Sequence, residues 1–113
     1  MKVVDQYLLQ CKNNYFNGIT PSNDEQYSLP DYKALIEVGK KCIREIGILE
    51  FSYFFQEGQY LIELWTAHII IEYGNTDLKE QCVKIIKKYS NGILDIKVAN
   101  EEKAWIDRFY SHS

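Results

Sequence analysis

The sequence predicts an all-α fold, five to six helices stacked as antiparallel pairs. Two observations carry this. From Tyr60 to Tyr110 apolar residues return at helical spacing in three consecutive runs, broken at Gly74-Asn75-Thr76-Asp77 and at Asn91-Gly92. Upstream, the runs Val4 to Tyr15 and Tyr32 to Ile46 have the same period. At 113 residues the chain fits one helical domain, residues 1–113, with a single core.

Val4, Tyr7, Leu8, Cys11 and Tyr15 form one apolar face, predicting a first helix over about residues 2–16 that ends near Asn17-Gly18. Residues 17–29 are rich in turn formers and have no period, so a surface loop is expected there. Pro30 suits a first helical turn, where its missing N–H costs nothing, with Ser28 or Leu29 at the cap. Tyr32, Leu35, Ile36, Gly39, Cys42, Ile43 and Ile46 then make the stripe of a second helix, residues 30–46. Gly47 stands where a positive-φ terminator is wanted.

Residues 48–56 are aromatic enough for a strand, yet a lone strand has no partner in this chain, so a short helix is expected. If exposed, Phe51, Phe54 and Phe55 would form an apolar patch. Residues 59–73 are apolar almost all round and predict a central helix, its one wet line being Glu63, Thr66 and Ile70. Asp77 and Glu80 have capping-box spacing for a helix over 77–90, whose stripe Leu78, Cys82, Ile85, Ile86 and Tyr89 opposes Lys79, Lys84, Lys87 and Lys88. A last helix over 95–110 presents Ala99, Ile106 and Phe109, with Trp105 nearby, and Ser111-His112-Ser113 should fray.

Net charge is −3, so phosphate-backbone binding has no compositional support and no nucleic acid partner is expected. Apolar runs fall far below the roughly 20 residues that cross a bilayer, and residues 1–6 turn polar at once, so neither membrane insertion nor secretion is expected. Cys11, Cys42 and Cys82 are odd in number, widely spaced and set on apolar stripes. They predict buried, reduced thiols in a cytoplasmic protein.

Chemistry-bearing patterns are sparse. His68 carries an imidazole, a side-chain type able to serve as base or ligand, but Trp65 and Ile71 one turn to either side favour a half-buried core histidine bonded to a carbonyl or carboxylate. Glu72 follows His68 by four residues, a spacing that more often makes a local pair than a metal site. Without His-x-x-x-His, Glu-x-x-His or Cys-x-x-Cys, no metal or other cofactor is expected. Nor is there a Gly-x-Ser-x-Gly turn or a glycine-rich phosphate loop, so no catalytic residue is assigned and the chain is expected not to be an enzyme. Glu101 and Glu102 are adjacent, diverge by about 100° on a helix and suggest a solvated face.

Gly47-Ile48-Leu49-Glu50-Phe51 and Gly92-Ile93-Leu94-Asp95-Ile96 match in type at an offset of 45, the period of paired-helix solenoids. The stretch Leu64-Trp65-Thr66-Ala67-His68-Ile69-Ile70-Ile71-Glu72, followed by a second helix, Val98-Ala99 and Trp105, resembles small bacterial domains of unknown function with HEAT-like helices. Their Leu-Trp-Ala-Ala type core is departed from at Thr66. This resemblance covers about the last 65 residues. It implies a stacked helical fold and carries over no catalytic residue.

Two functions follow as expectations. A non-enzymatic protein–protein interaction module is favoured by the helical stacking and the nine tyrosines, one version being an immunity-type protein that neutralises a toxin. The alternative is a small-ligand binder or enzyme with an inter-helix pocket formed by Trp65, His68, Glu72 and Trp105.

Overall fold

A computed structural model describes residues 1–74, 77–92 and 95–111. Among these residues there are six α-helices: α1 (Val3–Phe16), α2 (Pro30–Ile46), α3 (Ile48–Phe51), α4 (Ile62–Tyr73), α5 (Lys79–Ser90) and α6 (Ile96–Ser111). Short 3-10 turns at Asp24–Gln26, Ser52–Gln56 and Gln59–Leu61 complete the helical content, and the described residues contain no strand. None of their helices is long and apolar enough to cross a membrane.

Packing follows the sequence stripes. α1 lies along α2, α4 along α5 and α5 along α6, while α4 also meets α1, α2 and the 52–56 turn. In α4, Leu64, Trp65, Thr66, Ala67, Ile69 and Ile70 have no exposed surface, so this helix is the centre of the core. Each large apolar side chain so buried contributes about 1.5–3 kcal/mol. Cys11 and Leu35 join the same core from α1 and α2, and Cys82 and Ile86 join it from α5.

The termini of α2 behave as its residues dictate. Pro30 occupies the first turn after Leu29, and Gly47 ends the helix at φ 86°, ψ 158°, a region that side-chain-bearing residues avoid. Gly74 ends α4 for another reason. A Cβ there would lie 2.6 Å from both the Ile70 carbonyl oxygen and Ile48 Cδ1.

Residues 48–56 are helical: one α turn, then a 3-10 turn. Phe51 is buried, and Phe51 and Phe54 pack on the Tyr7 ring at 5.0 and 5.5 Å, so the aromatic run serves the core instead of forming an exposed patch.

Five expectations need correction. The loop over 17–29 does not stay on the surface, because Ile19, Thr20 and Ser22 are buried and hydrogen-bonded into the body. The central helix has no wet line at Glu63, Thr66 and Ile70; all three are buried, and it is Glu72 and Tyr73 that are exposed. Glu63 is tolerated inside because Lys88 Nζ and Tyr89 OH both reach its Oε1 at 2.7 Å. That helix also starts later than residue 59. Tyr60 and Leu61 take left-handed φ values of 54° and 58° before it.

Asp77 does not cap α5, which begins at Lys79 after Leu78 with no side-chain cap. The true cap of this kind is Asp95, whose Oδ1 accepts from the Val98 N–H at 3.1 Å at the start of α6. Finally, Glu102 does not belong to a solvated face: it has no exposed surface. The second copy of the 45-residue repeat includes Ile93 and Leu94, and the expected fraying includes His112 and Ser113; these lie outside the described residues.

Candidate functional site

Trp65, His68 and Glu72 follow one another at three- and four-residue spacing, so α4 presents them as a single line. Toward the end of that line the core gives way to a cleft of about 320 Å³, lined by Tyr32 and Ile36 of α2, by Trp65, His68, Glu72 and Tyr73 of α4, by Trp105 of α6, and by Pro21 and Tyr27 of the intervening loop. The four residues singled out from the sequence as pocket candidates thus line one concavity.

The loop residues reach the cleft because they are tied down. Thr20 Oγ1 donates to Glu101 Oε1 at 2.6 Å, its N–H donates to Gln26 Oε1 at 2.9 Å, and the Tyr32 hydroxyl donates to the Pro21 carbonyl at 3.0 Å. Tyr27 is thereby held over Tyr32 with ring centroids 4.9 Å apart, and Tyr32 packs on Trp65 at 5.4 Å. On the opposite wall Trp105 stacks on Phe109 at 4.8 Å and meets the His68 ring edge-on at 4.9 Å.

His68 is bonded to a carboxylate, though from another helix. Its Nε2 lies 2.5 Å from Glu102 Oε1, and Ser22 Oγ lies 3.1 Å from the same nitrogen. Glu72, the candidate four residues on, is exposed at the rim. The side chains of Glu102 and His68 are 0% and 10% exposed, so an acid from α6, an imidazole from α4 and a loop hydroxyl form one inward-facing polar knot.

Serine, histidine and acid together invite comparison with a hydrolytic triad. The geometry opposes it. A relay needs the hydroxyl on one ring nitrogen and the carboxylate on the other, so that the ring accepts a proton on one side while the acid holds it on the other. Here both groups address Nε2, and a nitrogen that donates to Glu102 has no lone pair for the Ser22 proton. Among the described residues no three His, Cys, Asp or Glu side chains converge as metal ligands would.

Two buried polar atoms lack a protein partner among the described residues: Nε1 of Trp65, which lines the cleft, and Oε2 of Glu102, whose other oxygen bonds the lining His68. Such atoms are few in folded proteins and concentrate where something other than packing is served. The Tyr32 hydroxyl is held well above its ordinary value of 10.0, first by burial and then by the neighbouring Tyr27, Tyr73, Glu102 and Glu72. Tyr27 is also raised, mainly by burial, with Arg108 pulling against it and Asp24, Glu102 and Glu101 adding to the rise. The thiols lie in the core: burial pushes Cys11 and Cys82 to about 12 and Cys42 to about 11, and all three are free.

Sequence reasoning missed Glu102, the loop residues Ser22 and Tyr27, and Tyr32 of α2. A signal for Glu102 was present: Val98, Ala99, Glu102, Trp105, Ile106 and Phe109 recur at helical spacing, which puts the acid in the middle of an apolar stripe. In comparisons with known proteins, no family model, curated protein or solved structure matches the chain.

Proposed function

We propose that this protein is a non-enzymatic recognition module whose binding site is the aromatic cleft between α2, α4 and α6. The observation that carries this is the cleft itself: five tyrosine and tryptophan side chains and a rim carboxylate around a volume at the small end of ligand sites, with no activated nucleophile among the described residues beside it. Trp65, which lines the cleft, and Glu102, bonded to the lining residue His68, each keep a buried polar atom without a partner among the described residues; this supports the same reading, because a packing role alone would favour apolar residues there. The stacked, HEAT-like helices expected from the sequence would serve as a rigid frame, holding three walls from distant parts of the chain.

A thermal-shift panel of small metabolites and peptides tests the proposal. Compounds that raise the melting temperature of the wild type should lose that effect in Trp105→Leu, whose fold is checked by circular dichroism. Hits that stabilise both forms equally would place binding elsewhere, and turnover of esters or amides that disappears in Ser22→Ala would overturn the non-enzymatic assignment.

A second reading has its own observation. Tyr15 and Phe16 are 47% and 67% exposed, and Tyr60, set by its left-handed backbone, packs on both at 5.6 and 5.7 Å. Exposed, mutually braced aromatic rings suit a protein partner, an immunity-type role being one form of it. Phe16→Ser should then abolish capture of that partner while leaving the melting temperature nearly unchanged.

A further inference from the structure

The walls of the cleft specify a charge as well as a shape. Tyr27, Tyr32, Tyr73 and Trp105 surround it, Trp65 floors it and Glu72 stands at the rim. Aromatic faces carry negative potential and attract cations, most strongly when water is partly excluded. Carboxylates dominate the surroundings: Glu72 and Glu102 act on the Tyr32 hydroxyl, and Asp24, Glu101 and Glu102 act on Tyr27 against the single cation Arg108. One of the lining rings already accepts an ammonium group of the chain, Lys40 Nζ lying 4.7 Å from the centroid of the Tyr73 ring.

An anionic ligand would meet those carboxylates. A bare ammonium gives up strong hydration on entering an aromatic site, whereas an alkylated one is weakly hydrated and presents methyl groups to ring faces. Resting on the cleft being the binding site, we infer that it takes an alkylated ammonium head group, carried either by a free small molecule or by a methylated lysine side chain. Trp105 and Tyr32 supply ring surface on opposite walls, and Glu72 supplies the counter-charge.

The test is calorimetric titration of the intact protein with choline, with a short trimethyllysine peptide, and with 3,3-dimethylbutanol, the neutral isostere of choline, at constant ionic strength. Saturable binding of choline or the peptide is expected, with the isostere about tenfold or more weaker, the ratio one good cation–π contact gives. Glu72→Gln and Trp105→Leu should each weaken the cationic probe by about tenfold, while Lys84→Ala on the far side of α5 should not. Choline binding as tightly as the peptide identifies a free ligand, and a peptide preference identifies a partner's side chain; both support the inference. An isostere equal to choline overturns the ammonium assignment and leaves the binding cleft standing. Absence of binding by all three probes overturns the ammonium assignment, and the Trp105→Leu thermal-shift comparison then decides the fate of the cleft separately.

Discussion

Helix α4 buries polar side chains toward several neighbours, and two of those sides treat them differently. Toward α1, the Thr66 hydroxyl donates to the Ile62 carbonyl at 2.8 Å, so the Tyr7 hydroxyl, 2.8 Å away, must donate to Thr66 Oγ1. Each proton has an acceptor, and both side chains are fully buried. Toward α6, His68 Nε2 is shared by Glu102 and Ser22, one carboxylate oxygen has no protein partner, and a cleft opens next to the imidazole. Polarity in a core is therefore not by itself a mark of function. What distinguishes the α6 side is polarity with unused capacity next to room for something else.

The largest expected effect strikes the closed side. Burial raises the Cys11 and Cys42 thiols, which neighbour Tyr7, and Cys82 on α5, to about 12, 11 and 12 from an ordinary 9.0. Folded thiols thus keep protons that unfolded ones release, so their contribution is complete below pH 9 and is lost as pH rises toward 11 to 12. For a fully buried thiol this is about 1.4 kcal/mol per pH unit in that window. Urea midpoints at pH 8, 9.5 and 11 should fall accordingly, and a Cys11→Ala variant should flatten the slope. Native thiols should also resist iodoacetamide at pH 8.

Next comes the α6 side. His68→Ala leaves Glu102 buried without its donor and should cost about 3 kcal/mol, whereas His68→Gln, whose amide can still donate, should cost about half of that. Equal losses in the two variants would mean that the donor retained by glutamine does nothing for Glu102. Tyr7→Phe on the closed side should cost about 1 kcal/mol, because Thr66 keeps its bond to Ile62. A loss as large as that of His68→Ala would erase the contrast between the sides. Glu72→Gln, at the exposed rim, should change stability by less than about 0.5 kcal/mol, so any effect on ligand binding can be read without a folding correction.

The legibility of the chain follows the same division. Helices α1, α2 and α4 were readable because a periodic stripe is a local property, and the core position of α4 followed from its being apolar on nearly every side. Trp65, His68, Glu72 and Trp105 were readable as candidates because α4 and α6 carry the rare residue types. Glu102 was not, since an acid beside another acid looks solvated until its place in the stripe Val98 to Phe109 is counted. Nor were Ile19 to Ser22, whose burial depends on bonds to residues 46 and 81 positions away. Tyr60 and Leu61 gave no warning of left-handed backbone because neither is glycine or asparagine.

Those two ties of the 17–29 loop also order events in time. Closing contacts across 46 and 81 residues costs chain entropy that the α1–α2 and α4–α5 hairpins do not meet. The hairpins should therefore assemble first and the cleft last, when α6 docks and brings Glu101 and Glu102 to the waiting loop and imidazole. A nascent or partly unfolded molecule would have its helices but no cleft, and binding at the proposed site would report that folding is complete.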